Sequence, residues 1–321
     1  MEGQPLNPGN RLTQYAAVLC AVAVLPAGCG SPSSVAGAPP ASKFAVRSNI
    51  GRSWMSPKTR SSDLLYASTG IDGAIYVYTY PKGQLVGGLL NTGKSYGLCS
   101  DPNGNVFVTN DNATYEYPQG SASASATLTS PYGGTTACSV DPVSGDLAVV
   151  APNSGIAIFH PMAGQGWHIA KLFPFEAPHL SWCAYAASGD LFVDGYASGN
   201  YFVWVLEKGK LNFKRTILDK RFLPASIQWD GQHMAIEDSG QRIHRFKFNG
   251  ATGTQVGVTR LKVFGQVFQF WIQGPTLTAA ANQSAQPIVG EWPYPAGGKP
   301  QREFTQDKTY GVTVSVAPSN R

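Results

Sequence analysis

A repeat of just over forty residues constrains this chain more than any other feature. In six places a turn residue precedes a short strand-like run, as in DPNGNVFVTN, DPVSGDLAVVAPN and AASGDLFVDG. The aligned turn residues recur at spacings of 41, 41, 44, 42 and 43; they are Asp63, Gly104, Gly145, Gly189, Gly231 and Gly274. Each unit continues with a second β-branched or aromatic run and a turn such as YPKGQ or YPQGS, the pattern of hairpins. Each unit therefore has room for four short strands.

Six such units predict an all-β fold, a six-bladed β-propeller of four-stranded blades. A charged fraction of only 13%, with 36 glycines and 23 prolines, suits such a turn-rich β protein. The first unit begins at Asp63 and lacks its innermost strand, whereas TYGVTVSV at 309–316 resembles SYGLCS at 95–100. We therefore expect the C-terminal strand to pair into the first blade, because this closure removes open sheet edges.

The segment DPNGN at 101–105 is interpreted as a tight turn between two strands of the repeat. An EF-hand calcium loop has glycine at position six and an acid at position twelve. Counted from Asp101, the glycine stands at position four and position twelve is Asn112. Proline with a fixed φ and glycine with a positive φ suit a tight turn. The aspartate side chain can accept a hydrogen bond from the backbone amide two residues later.

Three cysteines fall at similar points of successive units: Cys99, Cys138 and Cys183. Their spacing contains no C-x-x-C pair, so neither a zinc site nor a disulfide scaffold is expected. We expect small buried residues where the inner strands crowd. A reactive thiol needs a cationic neighbour, and the five histidines do not recur at these positions, although His179 stands four residues from Cys183.

The N-terminus predicts export. Residues 1–29 form a leader with one arginine and a short uncharged stretch, 15–27, that suits a secretory signal. LPAGC at 25–29 resembles a bacterial lipobox with Cys29 as the lipidated residue, although proline stands where leucine is usual; cleavage after Ala38 is the alternative. Residues 30–62 predict a flexible basic tether, and residues 63–321 the propeller. We expect a cell-envelope lipoprotein, or a periplasmic or extracellular protein, held at the membrane by its lipid anchor.

The net charge of +5 does not belong to the folded part. Residues 1–62 hold six basic residues and one acid, which leaves 18 of the 24 basic and 18 of the 19 acidic residues for 63–321. A nucleic-acid-binding domain carries a basic stripe on its folded surface. We therefore expect no nucleic-acid partner.

The repeat also carries a family resemblance. VFVTN at 106–110 resembles the core of the YVTN propeller repeat, and the DPNGN turn resembles NHL-type repeats. Over residues 60–318 the chain resembles exported bacterial propellers of the gluconolactonase-like kind. That resemblance implies a divalent cation held by Glu, Asn and Asp side chains, and a metal-dependent hydrolase. The cation ligands do not map onto this sequence one to one. No G-x-S-x-G motif for a serine hydrolase is present.

The loops that should surround one mouth of the channel are rich in acids, amides and aromatics. Loops between second and third strands supply Asp72, Asn110, Asp111, Asn153, Asp194, Glu237, Asp238 and Asn282. Loops that lead into the inner strands supply Tyr96, Tyr132, Trp182, Phe222 and Tyr310. Turns need Asn and Asp for their own geometry, but aromatic area with fixed amides also suits binding.

We therefore predict a monomeric, non-enzymatic binding or scaffold module whose ligand lies at this mouth. Its partner is expected to be an envelope protein, a peptide or a glycan; a structural envelope role and the hydrolase are the alternatives.

Overall fold

The structure is a computed structural model that describes residues 52–318, except for 71, 176–178, 198–199, 220–223, 251, 264, 283–287 and 306–307. The predicted leader 1–29, its Cys29 and most of the predicted tether 30–62 lie outside these residues. The helical content of the described part includes nothing long and apolar enough to cross a membrane. The domain boundaries stay predictions.

The described residues form strands throughout, with one short 3-10 helix at Pro57–Ser61. The strands of the first half are β1 (Trp54–Met55), β2 (Leu64–Ser68), β3 (Ala74–Thr79), β4 (Leu85–Leu90), β5 (Ser95–Ser100), β6 (Val106–Asn110), β7 (Thr114–Tyr117), β8 (Ala126–Leu128), β9 (Ala137–Val140), β10 (Leu147–Ala151), β11 (Gly155–Met162) and β12 (Gly166–Pro174). The remaining strands are β13 (His179–Tyr185), β14 (Leu191–Ala197), β15 (Asn200–Leu206), β16 (Lys214–Leu218), β17 (Pro224–Trp229), β18 (Met234–Asp238), β19 (Arg242–Asn249), β20 (Thr252–Arg260), β21 (Gln266–Gln273), β22 (Thr276–Asn282), β23 (Ile288–Pro293), β24 (Arg302–Thr305) and β25 (Val312–Ser315).

These strands form five sheets within the described ranges. Three sheets have four strands each, in the orders β5-β6-β7-β8, β12-β11-β10-β9 and β21-β22-β23-β24. A fourth sheet of eight strands has the order β13-β14-β15-β16-β20-β19-β18-β17, in which only β16 and β20 pair in parallel. The all-β prediction is confirmed, and where consecutive strands pair within a sheet they form the antiparallel hairpins that the turn residues indicated.

The fifth sheet joins the two ends of the described chain. Its order is β1-β4-β3-β2-β25, with β25 antiparallel to β2 from Leu64↔Ser315 to Ala67↔Val312. The Asp63 carboxylate accepts a hydrogen bond from the Ala317 amide at 2.8 Å. The expected pairing of the C-terminal strand with the first unit is therefore confirmed, and it gives the inner edge of β2 a partner.

The geometry of the turns explains why glycine and aspartate recur in them. The aligned glycines Gly104, Gly145, Gly189, Gly231 and Gly274 all have positive φ, between 56° and 99°. In the same turns an aspartate accepts from the backbone: Asp141 from the Val143 amide at 2.9 Å, and Asp230 from the Gln232 amide at 2.8 Å. The turn interpretation of the DPNG segments is confirmed, since only glycine adopts that φ without strain.

The strand that follows the innermost strand of each unit is buried on both faces. In β6, Val106 and Val108 pack against Leu64 and Tyr66 on one side, whereas Phe107 packs on the other side against the cluster around Val149. Alternate side chains of a strand point to opposite faces, so a sheet packed between two others needs apolar residues on both. This packing is why VFVTN and LAVVA read as nearly continuous apolar runs.

The cysteine prediction is wrong for two of the three residues. Cys99 and Cys138 form a disulfide between β5 and β9, with their Cα atoms 5.8 Å apart. Cys183 is a free, buried thiol, as expected. In the sequence the two cysteines are 39 residues apart, and nothing else indicates that they pair. In the fold β5 and β9 are in contact, which brings equivalent positions of the two strands close enough for a disulfide.

Removing the disulfide should lower stability. A Cys99→Ala/Cys138→Ala variant should lose about 2–4 kcal/mol of unfolding free energy, because the cross-link restricts the unfolded chain. Thermal melts with and without a reducing agent check this. The reductant should lower the melting temperature of the parent and of a Cys183→Ala control, and leave the double variant unchanged. A parent whose melt ignores the reductant contradicts the assignment.

Candidate functional site

Six strands form a closed ring of contacts, and we call them the inner strands: β5, β9, β13, β17, β21 and β25. Each contacts the next one in this order, and β25 contacts β5. Four of the inner strands have a register shift near their start: β5 between Ser95 and Leu98, β13 between Leu180 and Cys183, β17 between Pro224 and Ile227, and β21 between Val267 and Phe270. A bulge adds a residue and re-aims side chains. Here it places Trp182 and Gln269 along the ring's interior.

A cavity of about 490 Å³ lies inside this ring. Its lining comes from the middle and the end of the inner strands, for example from Leu98 to Ser100 of β5 and from Gln269, Phe270, Trp271 and Gln273 of β21. Asp101, Pro102 and Pro142, in the turns that follow β5 and β9, complete it. The cavity therefore occupies the half of the ring where the inner strands end. We call it the channel cavity.

Aromatic residues dominate one side of the channel cavity. Trp182, Trp229 and Trp271 line it and are half-buried, and Tyr185 and Phe270 lie beside them. Each comes from β13, β17 or β21, which are consecutive around the ring. Rigid aromatic area inside a concave cavity is the usual basis of small-ligand binding.

The glutamines of the channel cavity also fasten neighbouring inner strands. Gln269 accepts from the amides of Leu98 and Val312 at 3.1 and 3.0 Å and donates to the Leu98 carbonyl at 2.7 Å. Gln228 accepts from the Ile272 amide at 2.6 Å. Because these backbone groups lie on the interior of the ring, side-chain amides satisfy them where no further strand is present.

Aromatic rings pack together at the other end of the ring. Tyr310 lies edge-on to Tyr96, with 5.9 Å between the ring centroids, and 4.7 Å from Phe268. The structure thus brings together two of the predicted tyrosines and adds Phe268, which sequence reasoning missed. Gln269 follows Phe268 directly and lines the channel cavity. Of the residues predicted for the mouth, Trp182 lines that cavity, and no other one whose side chain is described does so.

Four of the predicted residues differ from their expected exposure. The sequence predicts loop side chains, but Asn110, Asp194, Glu237 and Asp238 are buried. Asn110 caps its own turn by accepting from the amides of Asn112 and Ala113 at 2.8 and 2.9 Å. Asp238 accepts from the amides of Gly240 and Arg242 and lies 3.0 Å from Nε2 of His244. The strands extend further than the pattern suggested, so these side chains lie at strand ends, where they serve the fold.

The other predicted residues remain at the surface or lie outside the described side chains. Asp72, Asp111 and Asn153 are exposed, and Asn153 contacts Nδ1 of His179 at 2.9 Å. Tyr132 is half-buried and packs its ring over Gly155. The side chain of Asn282 and all of Phe222 lie outside the described residues. Whether these residues bind a ligand stays a prediction.

Asp194 holds the bulge of β13. Its Oδ1 accepts from the Trp182 amide at 2.7 Å, while Oδ2 has no hydrogen-bond partner within the described ranges and the residue is 0% exposed. Thr109 and Ser68 hold the amides of Gly97 and Gly311 in the same way, with hydroxyls. Burial raises the pKa of the Asp194 carboxyl to about 8, even though the Trp182 amide favours its charged form.

Glu237 is a second fully buried acid, and neither of its carboxyl oxygens has a partner of good hydrogen-bond geometry among the described residues. Burial raises its pKa well above the usual range, and the charges of Asp238 and Asp194 act in the same direction. Asp238 behaves differently: burial acts to raise its pKa, but the hydrogen bonds from His244 and from the amides of Arg242 and Gly240 leave it lowered. Asp194 and Glu237 therefore favour the neutral acid in the fold.

These acids do not fit the divalent cation that the gluconolactonase-like resemblance implies. The part of the chain that the structure describes contains no group of three or more His, Cys, Asp or Glu side chains able to hold a metal ion. A catalytic divalent site draws on several such ligands that meet at one point. Asp194 and Asp238 instead accept hydrogen bonds from the backbone amides of nearby strands and turns.

Comparison with known proteins identifies the fold alone. The chain is similar in structure to a chain from the crystal structure of a nidogen/laminin complex, with a TM-score of 0.62, 14% sequence identity, and coverage of 79% of this chain and 99% of that one. It is also similar to a protein of unknown function from Bacteroides caccae, with a TM-score of 0.60, 12% identity and the same coverage of 79% and 99%. No family model matches the chain, and no curated protein matches it. These likenesses support a β-propeller fold, and the NHL and gluconolactonase-like resemblance stays a prediction.

The Asp194 carboxyl should make stability fall with rising pH. The unfolded chain loses this proton near pH 3.8, whereas the fold keeps it up to about pH 8. The contribution of this carboxyl to the unfolding free energy is therefore complete below about pH 4. It decreases by at most about 1.4 kcal/mol per pH unit as the pH rises, and it is lost once the pH passes 8. Melts from pH 5 to 9 should show a flatter profile for Asp194→Asn than for the parent. An Asp72→Asn control, at an exposed turn, should follow the parent. Parallel profiles for all three proteins contradict the assignment.

Proposed function

We propose that this chain is a non-catalytic binding module that holds a small ligand, or one group of a larger partner, in its channel cavity. The observation that supports this most is the cavity itself, about 490 Å³ with three half-buried tryptophans on consecutive inner strands. Ligand sites in proteins are concave, largely apolar and supplied with a few polar groups, and this cavity has that composition. Because propellers host many functions, the cavity supports the proposal and the fold by itself does not.

We further propose six blades. Within the eight-stranded sheet, β13 to β16 and β17 to β20 each form an antiparallel series. Among the described residues, backbone pairing joins the two series only at Ile217↔Thr252 and Leu218↔Gly253. Counted as two blades, these series join the four other sheets to make six. The ring of six inner strands supports the same number.

The ligand is proposed to arrive from the side where the inner strands end. At the opposite side Tyr96, Tyr310 and Phe268 pack together, and Gln269 bonds across to Leu98 and Val312. The predicted site at that opposite mouth is retained for its exposed members Asp72, Asp111 and Asn153, which suit a second contact with a larger partner.

Export and tethering are part of the proposal. The disulfide between Cys99 and Cys138 supports an oxidising compartment, since such bonds persist outside the cytosol. It adds to the leader and the Cys29 motif of the sequence. A tethered propeller in the cell envelope would meet peptides, glycans and envelope proteins, and these are the partner classes we propose.

Blocking the channel cavity should abolish binding. The experiment titrates a panel of short peptides, oligosaccharides and organic ammonium ions and follows intrinsic tryptophan fluorescence, because three tryptophans line the cavity. A ligand found in this way should lose at least about tenfold in affinity in Gln273→Trp, which fills the cavity, since the loss of a buried contact set exceeds about 1.4 kcal/mol.

The matched control is Val256→Trp, the same bulky residue at an exposed position of β20. It should bind like the parent. Val140→Trp, from another wall of the cavity, gives a second block if Gln273→Trp melts early. Equal binding by the blocked and control variants, or a panel without any response, contradicts the proposal.

A further inference from the structure

A second cavity adjoins the channel cavity at the side where the inner strands end. It measures about 390 Å³ and lies between the turns and outer strands of the two sheets that contain β5 and β9. The two cavities share three lining residues, Asp101, Pro102 and Pro142. Trp167 and Met162 add an indole and a thioether to the second cavity. The two cavities are therefore neighbours at these three residues, and we call the pair of cavities the recess.

The charged residues that line this recess have one sign. Asp101 is the charged residue of the channel cavity, and Asp101, Glu116 and Asp141 are those of the second cavity; no Lys, Arg or His is among the lining residues of either. Lys208 lies beside Asp141 at Gly189 but lines neither cavity. A recess with carboxylates and low-dielectric walls attracts cations and repels anions.

The hydrogen bonds of these carboxylates come from neutral donors. Asp101 accepts from the amide and from Nδ2 of Asn105 at 2.8 and 2.9 Å. Glu116 accepts from Nε1 of Trp167 at 3.0 Å. Within the described ranges, no Lys, Arg or His side chain lies within ion-pair distance, 4.0 Å, of Asp101, Glu116 or Asp141. None of these three carboxylates therefore forms a salt bridge with a described residue.

Tryptophan faces strengthen the same preference. An indole ring attracts a cation within about 6 Å of its centroid, and an organic ammonium gains more than a metal ion because it also fills apolar space. Trp182, Trp229 and Trp271 line the same cavity as Asp101. An anion finds no Lys, Arg or His side chain among the lining residues, and a neutral sugar gains stacking without a charge to pair with the carboxylates.

From this arrangement, we infer that the recess binds an organic ammonium group, with the charge beside Asp101 and its alkyl substituents against the tryptophans of the channel cavity. The inference deepens the proposed binding function and rests on it. The ammonium could belong to a free small molecule or to a lysine side chain of a peptide. Both sources present the same chemistry, so the experiment separates them.

The test compares a charged probe with an uncharged probe of the same shape, and adds a lysine derivative and a neutral sugar. Calorimetry on the parent uses choline, its uncharged isostere 3,3-dimethylbutan-1-ol, N-acetyl-lysine methylamide and cellobiose. Choline or the lysine derivative should bind on the order of tenfold more tightly than the uncharged isostere, since cation–π and carboxylate contacts are lost without the charge. Preference between choline and the lysine derivative identifies the source.

Two variants locate the charge. Asp101→Asn keeps an acceptor for the Asn105 amide and should weaken ammonium binding on the order of tenfold, whereas Asp72→Asn at the opposite mouth should not change it. Glu116→Gln serves if Asp101→Asn unfolds early in a thermal melt. Equal affinity for the isostere or for cellobiose would overturn the ammonium inference and leave the binding module standing. If no probe binds and the blocked Gln273→Trp variant behaves as the parent does toward the whole panel, both proposals fail.

Discussion

The pairing of β2 with β25 is the contact on which the other inner-strand contacts depend. Four residue pairs, from Leu64↔Ser315 to Ala67↔Val312, join segments some 250 residues apart in sequence. Without β25, the inner edge of β2 would lack its backbone partners, and β21 and β5 would lose the strand that each of them contacts. The chain must therefore form its most distant contact to complete the ring, a contact that carries a high loop-closure cost. Buried Val312 and Val314 pack with Leu65 and Val289 at this junction and offset part of that cost.

The cavity follows from the same closure. Gln269 of β21 bonds to Val312 of β25 and to Leu98 of β5, so one side chain connects three inner strands around the junction. With this end of the ring packed by Gln269 and the rings of Tyr96, Tyr310 and Phe268, open space remains toward the strand ends. The carboxylates of the DPNG-type turns then acquire a second role. Asp101 shapes its turn and also supplies charge to the recess.

The sequence predicts those features of the fold that local chemistry determines. Gly104 and its equivalents need a positive φ, and the repeated Tyr-Gly of 96–97 and 310–311 indicates which strand closes the ring. It does not predict the disulfide, because the neighbourhood of Cys99 and Cys138 depends on how adjacent sheets align. LFVDG ends in glycine and so predicts a loop at Asp194, yet β14 continues to Ala197 and the acid caps a bulge. The channel cavity does correspond to a pattern in the sequence. Both IQW at 227–229 and FWIQ at 270–273 place a tryptophan near a glutamine at the end of an inner strand.

Thermal unfolding of a chain that ends at residue 308 tests the closed ring most directly. Circular dichroism should show a broad, non-cooperative loss of strand signal, because β2 and Gln269 would lose their partners together. Val314→Asp should destabilise the full chain in the same direction, and Val143→Asp, at a residue 54% exposed, should melt like the parent. A truncated chain that melts cooperatively at the temperature of the parent would contradict the closed ring.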